Sequence, residues 1–498
     1  MWNRPILSII LVSISCFLSC SSEKDICNLS SEEAISEIEK IEILLNDNSP
    51  YMNINNVRVK KALDIFIDNL NEKDKISKNE FSNKLKSVLA ELGDRHFLLE
   101  YQGECNKEIK YYLPFSVAPW EGDKAIALIK KPKITFSYFL DNYPLLISIN
   151  DQEIESFLKE NDPENKHAPN LSKQALGIEK LNEFHKIKSG FNVDDKIKFT
   201  FSSMDSKSDT TMVLSLTESK NKWRDVNSFL SYSEGNEKIN SLLFKKYENE
   251  VAYIKIPEMY SYSKDEDFFK WLNQKMDTVR DSNALILDLR NNSGGNRDLI
   301  DFFSKYFIAP NKNVIGNLSR YRGNVSQDTK EGLQSRNLFA YDVFKDDESK
   351  QAIDSFSQIF KPAVGIDEKL YSEYYYMVMS NKDNGNSHYF NYPVYIMTNE
   401  MTFSAASVFA SSFKYLDNIN IVGVSTDGAS GMKKTYELPN SEIRITMSHM
   451  LSYQKDGELF DGTGTAPDIE IKRSVDQILG LEDFQLKKLL EIINSTEQ

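Results

Sequence analysis

Two short segments hold the residue types that acyl-transfer chemistry needs. The first is Asp288-Leu289-Arg290-Asn291-Asn292-Ser293-Gly294-Gly295-Asn296, directly after an apolar run. Paired glycines after a strand let the backbone come close to a ligand and aim N–H groups at it. The segment is not a dinucleotide loop, because Gly-x-Gly-x-x-Gly is absent. The second is Thr398-Asn399-Glu400-Met401-Thr402-Phe403-Ser404-Ala405-Ala406-Ser407, also after an apolar run. It predicts a helix whose first turn holds Ser404, with Thr402 as N-cap. The first N–H groups of a helix have no internal partner, and the dipole favours negative charge there. A serine so placed can attack a carbonyl while the Ala405 N–H holds the oxyanion. A helix-start serine is also an ordinary cap, so the second segment counts only together with the first.

The elements that must position these turns follow from periodicity. From residue 251 onward strands and helices alternate. Strands are expected at 251–256, 284–289, 394–397 and 419–424, and helices at 267–279, 298–307 and 402–416. Such alternation predicts a parallel or mixed α/β sheet. A long, polar, Tyr-rich insert separates the two strand–helix units at 309–392. A connection of that length is functional or structured as a cap. Upstream, apolar residues at helical spacing (Ile35, Ile38, Ile41; Leu63, Ile67, Leu70; Phe81, Leu85, Val88) predict a small helical domain ending at Gly93. Between the two, 125–129, 145–149 and 196–201 predict strands. Leu146 to Ile154 reads as strand, Asn150-Asp151 turn and short helix, a pattern that resembles a PDZ domain, which would take a peptide end by strand addition.

Asp288 to Gly295, then Thr402-Phe403-Ser404-Ala405-Ala406, then Gly462-Thr463-Gly464-Thr465-Ala466-Pro467-Asp468-Ile469 stand in the order seen in C-terminal processing (tail-specific) serine peptidases and the tricorn protease core. The resemblance covers about 251–471 well and the upstream regions loosely. It implies a multi-domain α/β fold: an N-terminal helical domain, a PDZ-like β domain and an α/β peptidase core of the ClpP/crotonase-like type. It also implies peptide-bond hydrolysis through an acyl-enzyme. Ser404 takes the nucleophile position, and Gly294 and the Ala405 N–H take the oxyanion positions, with Gly295 a close second for the former. The implied organisation is signal peptide 1–19, lipidated tether 20–29, helical domain 30–110, PDZ-like domain 111–222, core 223–475 and C-terminal helix 476–498.

The general base has two possible sources. One branch of the family uses a lysine, but Ala429 stands in that register, and Lys433 and Lys434 are out of it. The tricorn-like branch takes a histidine ahead of the PDZ region, and Gly93-Asp94-Arg95-His96 fits that place, with Arg95 where the branch has serine. Neutral imidazole can take the Ser404 proton and return it to the leaving amine. A histidine base needs an orienting acid. The resemblance gives Asp461 that role, one methylene shorter than the branch's glutamate, with Glu458 as fallback and Asp468 structural. His96 as base also predicts an acid limb in kcat/KM near the reference pKa of about 6.5.

Arg4, the apolar stretch 6–18 and the small residues after it read as a secretory signal, too short for a membrane span. Phe17-Leu18-Ser19-Cys20 resembles a bacterial lipobox, which implies lipidation of Cys20; Cys16 is the weaker candidate. Ser21 after Cys20 favours the outer membrane, facing the periplasm or cell surface. Cys27 and Cys105 remain in the mature chain, where a disulfide is allowed. The net charge of −14 without a basic block excludes nucleic acid as an expected partner. The five histidines form no His-Glu-x-x-His or Cys/His pattern, so no cofactor or metal is expected. Ser411-Ser412-Phe413-Lys414 matches Ser-x-x-Lys, but Lys-Thr-Gly is absent, and no Gly-x-Ser-x-Gly elbow occurs. A non-catalytic peptide-binding lipoprotein on the same fold is the alternative from another class.

Overall fold

Ser30 opens the first helix through a capping box: its hydroxyl accepts from the Glu33 N–H while the Glu33 carboxylate accepts from the Ser30 N–H. Ile38, Ile41 and Leu45 lie on the buried face of Ser31–Asn48. Pro50 at the first helical position starts the second helix, Pro50–Asn71, where its missing N–H costs nothing. A third helix, Lys78–Leu89, runs into a tight turn closed by Gly93 at φ 74°. The computed structural model describes residues 26–496 apart from 106–108, 133–134, 171, 227, 229–231, 233–234, 237–239 and 382–388. The expected signal peptide, Cys16, Cys20 and His388 lie outside those residues. A disulfide joins Cys27 to Cys105 across 78 residues, tying the start of the helical domain to the chain that leaves it. Among the described residues no helix is long and apolar enough to cross a membrane.

The second unit is an antiparallel sheet in the order Asp209–Ser215, Lys196–Ser202, Leu145–Ile149, Lys124–Lys130, Ser116–Trp120. Asn150 and Asp151 both take positive φ, 48° and 64°, as a two-residue hairpin turn of primed type requires. The strand Gln152–Glu153 and the helix Ile154–Asn161 follow, so the strand–turn–helix pattern is present. Phe115, Phe199 and Phe201 fill this unit's own core.

The core sheet has the order Phe244–Lys246, Val251–Lys255, Ala284–Asp288, Val394–Thr398, Ile419–Gly423, Ile469–Glu470. All neighbours after the first are parallel. The three central strands, Val251–Lys255, Ala284–Asp288 and Val394–Thr398, are buried along their whole length, which explains their unbroken apolar runs. The helices Glu266–Val279, Asp298–Phe307 and Ala405–Phe413 share one core with one sheet face, and Phe484–Thr496 packs on the other. The helix expected from 402 begins later, because Ser404 is its cap.

The 309–392 insert is largely regular structure. Its strand Asn313–Arg322 pairs with Tyr371–Ser380 on one side and with Met450–Tyr453 on the other, in a separate sheet. One more sheet joins the N-terminal domain to the core. Leu98–Tyr101, from the N-terminal domain, pairs with Ile443–Ser448, which pairs with Lys433–Leu438. Leu92, Leu99, Ile443, Ile445 and Met447 form one buried cluster across that junction. At roughly 1.5–3 kcal/mol per buried side chain, this seam holds the helical domain against the core.

Candidate active site

The parallel strands end at the same edge, where open α/β sheets place their ligands. Two of the turns there are stitched together by asparagine. The Asn399 side chain accepts from the Asn291 N–H at 2.9 Å and donates to Asn291 Oδ1 at 3.1 Å. Phe403 N–H donates to Asn292 O at 3.0 Å. Thr402 Oγ1 donates to Leu289 O at 3.1 Å, so Thr402 is a cross-turn tie and not the helix cap expected for it. A third turn joins through Ser404 N–H to Gly428 O at 3.2 Å and Asp427 N–H to Thr402 O at 3.1 Å.

Ser404 caps Ala405–Phe413 with φ 53° and ψ −125°, outside the regions open to an L side chain without strain. Such strain persists where the surroundings over-determine it, typically at functional sites. Its hydroxyl makes no capping bond; Ser404 Oγ lies 3.2 Å from His96 Nε2. These residues are 308 positions apart. Asp94 holds the histidine: its carboxylate accepts from the His96 N–H at 2.9 Å and the Ser448 N–H at 2.7 Å. The Phe403 ring packs beside the imidazole at 5.1 Å.

Asp461 is near but differently employed. Its oxygens accept from the Arg95 N–H at 2.8 Å and the Ser430 N–H at 3.2 Å. No hydrogen bond joins it to His96, and among the described residues the buried His96 Nδ1 has no hydrogen-bond partner. The orienting contact expected of Asp461 is thus not made. Asp94, His96 and Asp461 each bring one atom into a group spanning 4.8 Å. Each carboxylate already accepts two backbone N–H groups, so the cluster fixes loops. Glu458 is exposed at a turn, and Asp468 accepts from the Ile421 N–H at 2.8 Å, a sheet-edge role. Ala429 is buried at φ 66°. Lys434 is exposed and sits over the Tyr321 ring, with no bond to Ser404.

Burial dominates the electrostatics. It pushes His96 down to about 3, helped by the charges of Lys433 and Arg336. Burial and the charge of Asp461 push Asp94 up. Arg95 forms a two-pronged pair with Asp427, both bonds at 2.8 Å, and also binds Glu164 O and Asn165 Oδ1. It therefore joins three parts of the chain around the site, a role that no local pattern in the sequence announces.

Gly294 N–H donates to Asn292 Oδ1 at 2.9 Å and so is engaged, contrary to the donor role expected of it. The N–H groups of Gly295 and Ala405 make no hydrogen bond with the described residues. Gly294 matters sterically: a Cβ there would lie 2.7 Å from Ser404 Cβ and 3.0 Å from Ala405 N. Gly294→Ala should therefore lower kcat by roughly 10²–10³, the usual loss when one oxyanion donor is displaced, and, at φ 98°, lower the melting temperature as well while the chain still folds. Steady-state kinetics and circular dichroism on a common preparation check this; a folded, fully active Gly294→Ala removes the close approach from the mechanism.

Residues 250–471 match the family model described as peptidase family S41. Among solved structures, mature CPAF complexed with lactacystin superposes with a TM-score of 0.65 at 14% identity, covering 93% of this chain and 98% of that one. Mature CPAF alone gives 0.63 at 15% identity with the same coverage. At such identities these likenesses establish the fold, and they extend it over the N-terminal domain that supplies His96. The matched segment contains both glycine and serine turns as well as Asp461; residues 250–471 are thus similar to a peptidase family S41 domain, and the chain is a serine-type peptidase.

Proposed function

We propose that the chain is an endopeptidase acting through an acyl-enzyme, with Ser404 as nucleophile and His96 as general base. The observation that carries this reading is the 3.2 Å contact between Ser404 Oγ and His96 Nε2, made at a strained serine whose hydroxyl caps no N–H. Nε2 takes the Ser404 proton as Oγ attacks the scissile carbonyl, and the oxyanion develops against the Ala405 and Gly295 N–H groups. The imidazolium returns the proton to the leaving amine, and a water repeats the cycle on the ester. With Nε2 as acceptor the ring proton sits on Nδ1, which lacks a protein acceptor. The carboxylates of Asp94 and Asp461 are close enough to stabilise the transient imidazolium through one bridging water. Asp461 then acts by charge and by holding the 429–431 loop.

An activated ester tests the acyl-enzyme. We expect a burst of one product per chain before steady turnover, absent in Ser404→Ala. No burst, no turnover and no covalent adduct would leave a peptide-binding protein that kept the fold.

We further read residues 111–222 as a PDZ-like domain that presents peptide ends to the site, and residues 1–29 as an export signal and tether lipidated on Cys20. The substrates are then exported proteins or peptides met at the cell envelope, most consistently at the outer membrane. Metabolic labelling with a fatty-acid probe should fail in Cys20→Ala and survive in Cys16→Ala; the reverse pattern would move the anchor.

A further inference from the structure

The imidazole of His96 uses one nitrogen only. Nε2 meets Ser404 Oγ at 3.2 Å, while Nδ1 has no hydrogen-bond partner among the described residues, although His96 is only 8% exposed. A buried polar atom left in this way calls for an ion or an ordered water. The surroundings of Nδ1 are anionic. A Cβ on Gly431 would lie 3.1 Å from Nδ1 and 2.8 Å from Ser448 Cβ, so this nitrogen faces the loop at Ser430-Gly431 and Ser448. The same two segments donate N–H groups to carboxylates: Ser430 to Asp461 at 3.2 Å and Ser448 to Asp94 at 2.7 Å. One ligand atom each of Asp94, His96 and Asp461 lies within 4.8 Å of the other two, and all three residues are buried.

This donor set has the chemistry of a transition-metal site. An ionised carboxylate offers about four lone pairs, and the backbone N–H groups take two on each aspartate. One imidazole with two carboxylates suits an ion such as zinc, whereas calcium and magnesium take oxygen ligands. In a tetrahedral site with bonds of about 2.0–2.2 Å the ligand atoms stand about 3.4 Å apart, so the widest pair here closes by no more than about 1.4 Å. A water completes the fourth position. Charge also balances: two carboxylates face a divalent ion, and the neighbouring Arg95 is already matched by Asp427. The charges of Lys433 and Arg336 reach the ring and oppose a cation, which sets the affinity below that of a dedicated structural site. No local motif announces the set, because Asp461 comes from a segment remote from Asp94 and His96.

We propose that Asp94, His96 Nδ1 and Asp461 form an inhibitory site for a divalent transition ion of the zinc class, behind the catalytic histidine. The site stands on this geometry, and its effect rests on the peptidase reading above. As general base, His96 carries its ring proton on Nδ1 and accepts at Nε2. An ion bound at Nδ1 takes the lone pair there, and the ring proton moves to Nε2. Nε2 then donates to Ser404 Oγ and has no lone pair with which to take the hydroxyl proton. The bound ion thus switches the nucleophile off without touching it.

Metal binding to the chelator-treated full chain is read directly, with Co²⁺ as a coloured probe and Zn²⁺ by calorimetry. We expect one equivalent of Co²⁺ with the visible absorption of a four-coordinate site, displaced by Zn²⁺. That equivalent should be missing in His96→Ala. In Asp461→Asn it should bind about 100-fold more weakly, at or beyond the top of the roughly 10- to 100-fold range for losing an outer-shell contact. Fluorophosphonate labelling of Ser404 should slow in proportion to the occupied fraction and recover when chelator is added. Absence of a bound equivalent overturns the site, as does unchanged stoichiometry and affinity in folded His96→Ala, which would place the metal elsewhere. If Asp461→Asn melts early, His96→Ala decides alone. A full equivalent bound through His96 with Ser404 labelled at the metal-free rate overturns the inhibition. Failure of the peptidase reading shows separately, as absence of the ester burst in the metal-free wild-type chain, and leaves the Co²⁺ spectrum unaffected.

Discussion

Ser404→Ala is expected to lose a factor on the order of 10⁶ in kcat, the loss seen when a serine protease loses its nucleophile. The expectation rests on where the residue sits. Its hydroxyl caps no N–H, its backbone takes a conformation that a serine without a task would not retain, and its Oγ faces an imidazole. The same substitution removes no core contact, since Ser404 is only half buried and its helix is held by Val408, Phe409 and Phe413. Melting temperature should therefore stay, since alanine keeps the Cβ and with it the backbone strain. Turnover within tenfold of wild type would mean that another group does the chemistry.

His96→Ala is expected to cost about 10⁴–10⁶ in kcat/KM, comparable with the nucleophile, because residues acting as a unit fail together. Lys434→Ala serves as the comparison and should keep near-normal rates; its side chain lies over Tyr321. The pH profile carries the finer test. An ordinary histidine base would give an acid limb near about 6.5. Here burial holds His96 down to about 3, so the neutral, proton-accepting form persists as the pH falls. The limb expected from sequence is thus displaced: kcat/KM should not fall through pH 6.5 on account of His96, and its loss should move toward the lower value. A limb near 6.5 that vanishes in a partly active His96→Gln would contradict the buried, neutral imidazole.

The parallel core could be read in advance because its strands are buried on both faces and so carry unbroken apolar runs, and because Gly294-Gly295 and Ser404 fall at strand ends. His96 was reachable only through the family motif. Nothing local in Gly93-Asp94-Arg95-His96 says that Leu98–Tyr101 pairs with Ile443–Ser448, and that long-range pairing is what brings the ring to Ser404. The insert looked like a cap because its strands mix Tyr, Met and Ser; in Tyr371–Ser380 the buried positions alternate, and only the insert's sheet makes sense of them. Asp461 lies near His96 but makes no hydrogen bond to it. A short carboxylate with two backbone N–H groups in reach takes those, and sequence does not reveal which backbone will be close. The Gly294 N–H, expected to face the oxyanion with Gly295 as a close second, is engaged for a similar reason: Asn292 Oδ1 accepts from it, a local bond, while the Gly295 N–H makes no hydrogen bond with the described residues.

Mass spectrometry of the full chain after exposure to a serine-reactive fluorophosphonate tests the central claim most directly. The account predicts one adduct, mapped to the peptide containing Ser404, absent in Ser404→Ala and formed far more slowly in His96→Ala, where no imidazole takes the proton. An adduct on another serine, or labelling of Ser404 at an unchanged rate in folded His96→Ala, would contradict it.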